Sequence, residues 1–320
     1  MSHELGLLGF EETMTKKIRT PKSNAKMLDI VEFYLHSPRY RGLSAKCQYE
    51  YERHLRHACN TPLSDGRLFG GVRINRVGVK HLSDLYETWL ESGTTTANMR
   101  MAHLSACWKY AMQKEIVVAN PIALVSRESA KARKTKWEPE HVKAFLDTAY
   151  SDFKWRSIGL LVHMSYDWAQ RVGDMRKLTW DCLDLDAQRL DLTQSKRNAD
   201  VHLPISDALT SMLRTQKEDF GFQQYVAPSV NPVGGAYRAY TDVQIHKLIN
   251  AVKAEANLPH ELTAMDLRRT AITEMAEAGV DMAGIMQVSG HRNPNSVKPY
   301  LVNTFAGASN ALAKRNGAKQ

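Results

Sequence analysis

From Thr263 to Thr270 the chain reads TAMDLRRT, from Ser289 to Arg292 it reads SGHR, and Tyr300 follows nine residues after the histidine. Thr263 with Asp266 three positions later is the pattern of a capping box, so a helix should open there. Gly279 suits the end of that helix. Inside it Met265 and Arg268 share a face, because three residues make nearly one turn. Gly290 fits a left-handed turn that ends a second helix at Val288 or Ser289, which places His291 on a turn rather than on a core face. Asn293-Pro294 and Pro299 prevent a long continuous helix after it. Pro299 can sit only in a first turn, so Tyr300 is expected near the start of a short helix. Read singly, each piece is an ordinary surface arginine, turn histidine or structural tyrosine; the order of the set is what carries information.

Working upstream, Ala169–Trp180 reads AQRVGDMRKLTW. Arg171 follows an apolar helical stretch at 155–168, and Asp174 lies three residues on, where it could orient a guanidinium. Arg189–Thr193 and Val201–Leu203 alternate in polarity and read as two strands joined by a turn through Ser195–Asp200. Lys196 stands in that turn, with Arg197 as its competitor if the register slips. No convincing strand precedes residue 185. Helices are expected at 138–149, 207–218 and 241–256, and three shorter ones in the last third, separated by Gly279 and Gly290. Before residue 126, four amphipathic segments (26–37, 44–59, 79–92 and 95–115) predict a small all-helical bundle. Ser44 can cap the second and Thr94 or Thr95 the fourth. The fold class is therefore mainly α with a small β-sheet. The expected parts are an arm at 1–25, a helical domain at 26–125, a basic linker at 126–136, a mixed α/β domain at 137–305 and a tail at 306–320.

Composition bounds the function. The 320 residues are 43% hydrophobic and 24% charged, which suits a soluble globular protein of two domains. No apolar run approaches a membrane span and the N-terminus lacks the pattern of a secretory signal, so the expected location is cytoplasmic, with no membrane partner. Cys47, Cys59, Cys107 and Cys182 form no metal-binding spacing. The net charge of +9 is unevenly placed: residues 1–136 hold 22 Lys and Arg against 13 Asp and Glu, whereas the remainder is balanced. A polyanion bound by the first domain and the linker fits this distribution. Lys46, Arg53, Arg56, Arg100 and Lys109, on two helices, and Arg133 and Lys134, in the linker, are the candidate phosphate and groove contacts.

The ordered set Arg171, Lys196, Arg268, Gly290-His291 and Tyr300 resembles the tyrosine recombinase, or phage integrase, family. The resemblance extends to Leu178-Thr179-Trp180-Asp181 and Asp266–Thr270, and covers about residues 26–305. It implies a helical core-binding domain, a basic linker and a mixed α/β catalytic domain that close on duplex DNA as a clamp. It further implies site-specific DNA strand exchange through a 3′-phosphotyrosyl intermediate. By position, Arg171 and Arg268 would be the catalytic arginines, Lys196 the lysine of the turn, His291 the following histidine and Tyr300 the nucleophile. Asp174 would support an arginine. No metal and no other cofactor is implied, since arginines would take the place of Mg²⁺. The expected partners are double-stranded DNA at a specific site, four copies of the chain on two sites, with the tail packed on a neighbouring copy, and an accessory DNA-bending protein. One position departs: the family commonly has histidine three residues before the second arginine, and here it is Met265. A thioether neither donates a strong hydrogen bond nor shuttles a proton. The Asp266–Thr270 string is nearer to mobile-element integrases than to chromosome-dimer resolvases, which are the alternative together with a non-catalytic DNA-binding relative.

Overall fold

The computed structural model describes residues 19–130, 133–195 and 199–317. The chain divides into two compact units, with the break between residues 131 and 132. Among the described residues, no helix is long and apolar enough to cross a membrane.

The first unit is helical: α1 (Met27–Leu35), α2 (Pro38–Arg41), α3 (Ala45–Asn60), α4 (Val79–Leu90) and α5 (Thr94–Gln113). The 3.6-residue period of α1 is the reason it forms, since Met27, Ile30, Val31 and Tyr34 all turn inward. They meet Leu55 of α3, Leu82, Leu85 and Trp89 of α4, and Met101, Leu104 and Trp108 of α5. Both buried indoles keep a partner: Trp89 donates to the Thr61 hydroxyl at 3.0 Å and Trp108 to the Ala119 carbonyl at 3.1 Å. Ser44 caps α3 as expected, accepting from the Cys47 N–H. The short α2 was not foreseen; it is started by Ser37, which accepts from the Tyr40 N–H at 3.1 Å, with Pro38 in its first turn. Neither threonine caps α5. Gly93 takes that position with φ of 96°, because it also closes the end of α4 through its N–H to the Leu90 carbonyl.

Between α3 and α5 two histidines are buried. The Tyr51 ring stacks on His103 at 3.9 Å and His54 lies beside it. Burial, then the neighbouring His54, depresses the His103 imidazole from 6.5 to about 4. The unfolded chain therefore binds a proton between these values that the folded unit refuses. This contribution to stability is complete above about pH 6.5 and is lost as the pH falls toward 4. With His103 only 5% exposed, the loss should reach about 3 kcal/mol. Urea midpoints at about pH 7 and about pH 4.5 would measure it. In His103→Gln the acid-induced drop should shrink; an unchanged drop would assign it to other groups.

The second unit begins at Trp137, which is fully buried against Phe145. Its backbone N–H donates to the Thr270 hydroxyl and its indole to the Thr263 carbonyl. Then follow α6 (Pro139–Tyr150), α7 (Phe153–Asp167), α8 (Val172–Met175), β1 (Leu183–Asp184), β2 (Arg189–Thr193) and β3 (Asp200–Pro204). They are succeeded by α9 (Asp207–Phe220), α10 (Asp242–Glu255), α11 (Ala264–Glu277), α12 (Met282–Ser289) and α13 (Phe305–Gly317). Helix α7 packs against α6, α9, α10 and α11. That explains its run from Ile158 to Met164, which is buried almost all round. The strands form one antiparallel sheet in the order β1-β2-β3. Pairing of Leu190 with Leu203 and Leu192 with Val201 sends the apolar side chains to one face. Strand β1 was missed because two residues are too few to display alternation.

One further expectation needs correction. Tyr300 does not start a helix; it ends a 3-10 turn at Lys298–Tyr300, and Leu301 is extended. Pro294 and Pro299 leave room only for such turns, and the Tyr300 N–H reaches the Val297 carbonyl at 2.8 Å, three residues back. The tail forms α13, with no buried residue. It is held to the end of α11 by Asn310, which donates to the Glu277 carbonyl at 2.8 Å, and by Thr304 on the Glu277 carboxylate.

Candidate active site

Four of the residues singled out in the sequence converge in the second unit. Arg268 projects from α11 into the interior and is 3% exposed. Its Nη1 donates to the Ala169 carbonyl at 2.9 Å and its Nη2 to the Ser289 carbonyl at 2.7 Å. Ala169 offers that carbonyl from a strained left-handed conformation, φ 49°, at the junction where α7 gives way to Arg171. His291 follows Gly290, whose φ of 70° is the expected left-handed close of α12. Arg268 Nη2 lies 3.3 and 3.2 Å from the two ring nitrogens of His291, so it rests against the ring rather than on one lone pair. The Tyr300 ring is 5.2 Å from His291 and 5.7 Å from the Arg268 guanidinium, centre to centre. Its backbone carbonyl takes the Thr273 hydroxyl of α11 at 3.0 Å, which ties the 3-10 turn to the helix bearing Arg268.

Arg171 stands at the N-cap of α8, half-buried, and donates from Nη1 to the Gln194 side-chain oxygen at 3.2 Å. Asp174 lies 3.6 Å from it. The stronger ties of Asp174 run to Ser195, whose N–H reaches it at 3.2 Å and whose hydroxyl bonds the same oxygen. Asp174 thus holds the start of the β2–β3 turn as well as facing Arg171. Lys196 and Arg197 lie outside the described residues; on either side of them the Gln194 N–H donates to the Ala199 carbonyl at 2.9 Å.

Burial, then the positive charge of Arg171, pushes the Arg268 guanidinium below its ordinary value, with Tyr300 and Asp174 offsetting part of this. The group still carries its charge near neutrality. For His291, the Ser289 hydroxyl donates to the Ile285 carbonyl at 2.6 Å and also lies 2.7 Å from Nδ1. With its proton committed to Ile285, the serine oxygen accepts from Nδ1–H. In the neutral ring the lone pair then belongs to Nε2, an assignment made from the hydrogen-bond network.

The remaining candidates separate by surroundings. Met265, in the first turn of α11, is 75% exposed, while Arg268 three residues on is buried; the face they share is thus only its rim. Arg100 is turned inward, over the Trp89 ring at 5.8 Å, so it is no surface contact. Arg133 grips the buried Asp266 through Nε at 2.8 Å and Nη2 at 2.8 Å. Burial would raise the Asp266 carboxyl, but the hydrogen bonds from Arg133 and Thr263 outweigh it and hold it below the usual carboxylate range. The Arg133 charge is therefore answered within the protein. Arg53 is paired with Glu50 at 2.6 Å, and Arg56 with Glu32 and Glu52, both at 2.7 Å. Lys46, Lys109 and Lys134 are exposed. Among the described residues, no group of three His, Cys, Asp or Glu side chains could hold a metal ion.

Sequence reasoning missed Gln170, Gln194 and Ser289, which wire these groups together. The available signal was a polar residue beside each motif: Gln170 precedes Arg171, Gln194 precedes Ser195-Lys196 and Ser289 precedes Gly290.

Comparison with known proteins bears on this arrangement. The family model described as the phage integrase family matches residues 137–306. The tyrosine recombinase XerC of Listeria monocytogenes serotype 4b (strain F2365) is 23% identical over 281 residues, covering 83% of this chain and 89% of that protein. XerC of Lacticaseibacillus casei (strain BL23) is 23% identical over 260 residues, 73% of this chain and 83% of the relative. In structure, a lambda integrase dimer bound to a COC' core site superposes with a TM-score of 0.70 at 15% identity, over 91% of this chain and 81% of that one. The Tn1549 transposon integrase in complex with transposon right end DNA gives 0.69 at 17% identity, over 90% and 99%. The matched segment is more than half of the chain and contains both arginines, the Gly-His pair and Tyr300, so the chain belongs to the phage integrase family of tyrosine recombinases.

Proposed function

We propose that the protein is an active site-specific DNA recombinase that integrates or excises a phage or another mobile element. The observation that carries this reading is the meeting of Arg171, Arg268, His291 and Tyr300, drawn from four separate segments, around one position. In the reaction, Tyr300 Oη attacks a DNA phosphorus; the Oη–P bond forms and the P–O5′ bond breaks. The phenolic proton, whose ordinary pKa is about 10, leaves during attack. His291 Nε2 is the acceptor favoured by the serine-set tautomer. Lys196 protonates the departing 5′ oxygen as general acid. The negative charge gathering on the non-bridging oxygens is met by the two guanidiniums, each such donor contributing about 3–4 kcal/mol. A 5′-hydroxyl then attacks the phosphotyrosine in the reverse sense, so the bond energy is conserved and no ATP is consumed.

Double-stranded DNA is the partner. The exposed Lys46, Lys109 and Lys134 are its first-unit and linker contacts, and Arg53 and Arg56 join them by exchanging carboxylates for phosphates. A lambda integrase tetramer on a Holliday junction is among the similar structures, at TM-score 0.70 and 14% identity, and supports four copies acting together. The XerC relatives leave chromosome-dimer resolution as the alternative role for the same chemistry.

The test is to incubate the protein with nicked random and genomic fragments in EDTA, denature, and look for covalent protein–DNA adducts. Peptide mapping should find the phosphodiester on Tyr300. No adduct on DNA that the protein binds specifically would sink the catalytic reading in favour of a DNA-binding-only relative. Met265 is the residue that favours that second reading. Met265→His, on the exposed first turn of α11, should raise the adduct-forming rate about a hundredfold by restoring a proton-handling group. If the rate is unchanged, proton transfer does not pass through this position.

A further inference from the structure

We propose that Gln194 is a positioning residue: its carboxamide locks the Arg171 guanidinium and the carboxyl end of α12 into one frame, so strand cleavage depends on a side chain that cannot touch DNA. The inference rests on the recombinase reading above. The Gln194 side chain is wholly buried. Its Nε2 donates to Gln170 Oε1 at 2.5 Å and to the Ser289 carbonyl at 2.9 Å, and its Oε1 accepts from Arg171. Gln170, also buried, spends both hydrogens of its own amide on the carbonyls of Trp168 and Val288, at 2.8 and 2.7 Å. Rotating either amide by half a turn would set oxygen against oxygen, and for Gln194 nitrogen against the Arg171 N–H. Only one orientation satisfies every partner.

The frame reaches the other functional groups as well. The carbonyls of Val288 and Ser289 close α12, where no intrahelical donor remains for them. They are satisfied by Gln170, Gln194 and Arg268, and Ser289 accepts from both Gln194 and Arg268. A Cβ on Gly290 would sit 2.5 Å from the Gln194 amide nitrogen, so this close contact, together with the positive φ, requires glycine immediately before His291. Gln194 therefore touches Arg171, the Ser289 carbonyl that Arg268 also binds, and the turn that presents His291.

Two measurements decide it. In the DNA-free protein, the Nη signals of Arg171 in a ¹⁵N-arginine spectrum, assigned with Arg171→Lys, should be resolved by hindered rotation. They should merge in Gln194→Met, which keeps the length but no hydrogen bond. Second, on duplex recovered from the wild-type adduct, Gln194→Met should cleave about a hundredfold more slowly at saturating protein, the cost of a misplacement near 1 Å, with DNA affinity within about twofold. The rate ratio between the two phosphorothioate diastereomers at the cleaved phosphate should change, whereas simple loss of stability slows both equally. Should Gln194→Met fail to fold, Gln194→Asn keeps the amide and shortens its reach, and the same losses are expected. A folded variant with unmoved arginine signals, or one with wild-type rate and diastereomer ratio, overturns the proposal. A wild type that forms no adduct overturns the recombinase reading instead, and the arginine spectrum still tests the frame.

Discussion

Tyr300→Phe should abolish the covalent attachment to DNA while leaving the protein folded and able to bind. The phenyl ring has no oxygen with which to form the Oη–P bond, so no residual rate is expected through this residue. The surroundings explain why the change is otherwise mild. The 3-10 turn is held by backbone groups, the Tyr300 N–H on Val297 and its carbonyl on Thr273, and these survive. Phenylalanine keeps the ring beside His291 and the Arg268 guanidinium, and only the hydroxyl's hydrogen bond with that guanidinium is lost. The unfolding free energy should fall by only about 1–2 kcal/mol, the cost of one hydrogen bond to a charged group with the packing intact. Denaturing gels report the adduct, and a mobility shift on native gels reports binding. An adduct that persists in Tyr300→Phe would mean that another side chain is the nucleophile.

Arg268→Ala should damage both chemistry and stability, and the size of the stability loss separates it from the other arginine. Loss of one placed donor to the developing charge lowers cleavage about 10²–10³-fold. In addition, the carbonyls of Ala169 and Ser289 each lose the guanidinium hydrogen bond that holds them. A buried acceptor left without a donor costs about 1–3 kcal/mol, so the second unit should melt well below the wild type. Ser289 keeps the Gln194 amide, which limits the damage there. Arg268→Lys should not rescue activity, because an ammonium lacks the planar two-nitrogen fork that binds the carbonyls and a phosphate at once. Arg171→Ala, by contrast, removes a half-buried side chain and takes one donor from the Gln194 oxygen, and should lose comparable activity with a smaller drop in melting temperature. Single-turnover cleavage and thermal unfolding on the three variants check the pattern. Equal melting of Arg268→Ala and wild type would contradict the buried-clamp role.

How legible the site was in the sequence differs from residue to residue. Gly290 and the Thr263–Asp266 pair were readable because each follows from local backbone chemistry: a positive φ at a helix end, and a carboxylate accepting from the Thr263 N–H at 3.0 Å. The partners of Arg133 and Arg100 were hidden for a common reason. Lysine and arginine in a polar stretch look alike whether they face solvent or a carboxylate far along the chain. Arg133 pairs with Asp266, 133 residues away, and no local pattern encodes that distance.

The amino-acid order by itself determined the longer helices, whose apolar period of 3.6 is a local property, the β2–β3 hairpin with its period of two, and the ordered arginine, glycine-histidine and tyrosine set. The tertiary structure alone decided which charges point inward, that Met265 is exposed while Arg268 beside it is sealed, and that two glutamines complete the frame around them. The reason is physical. A helix or turn is stabilised by neighbours a few residues away, whereas a buried charge or amide is tolerated only where the folded chain brings a partner to it from elsewhere.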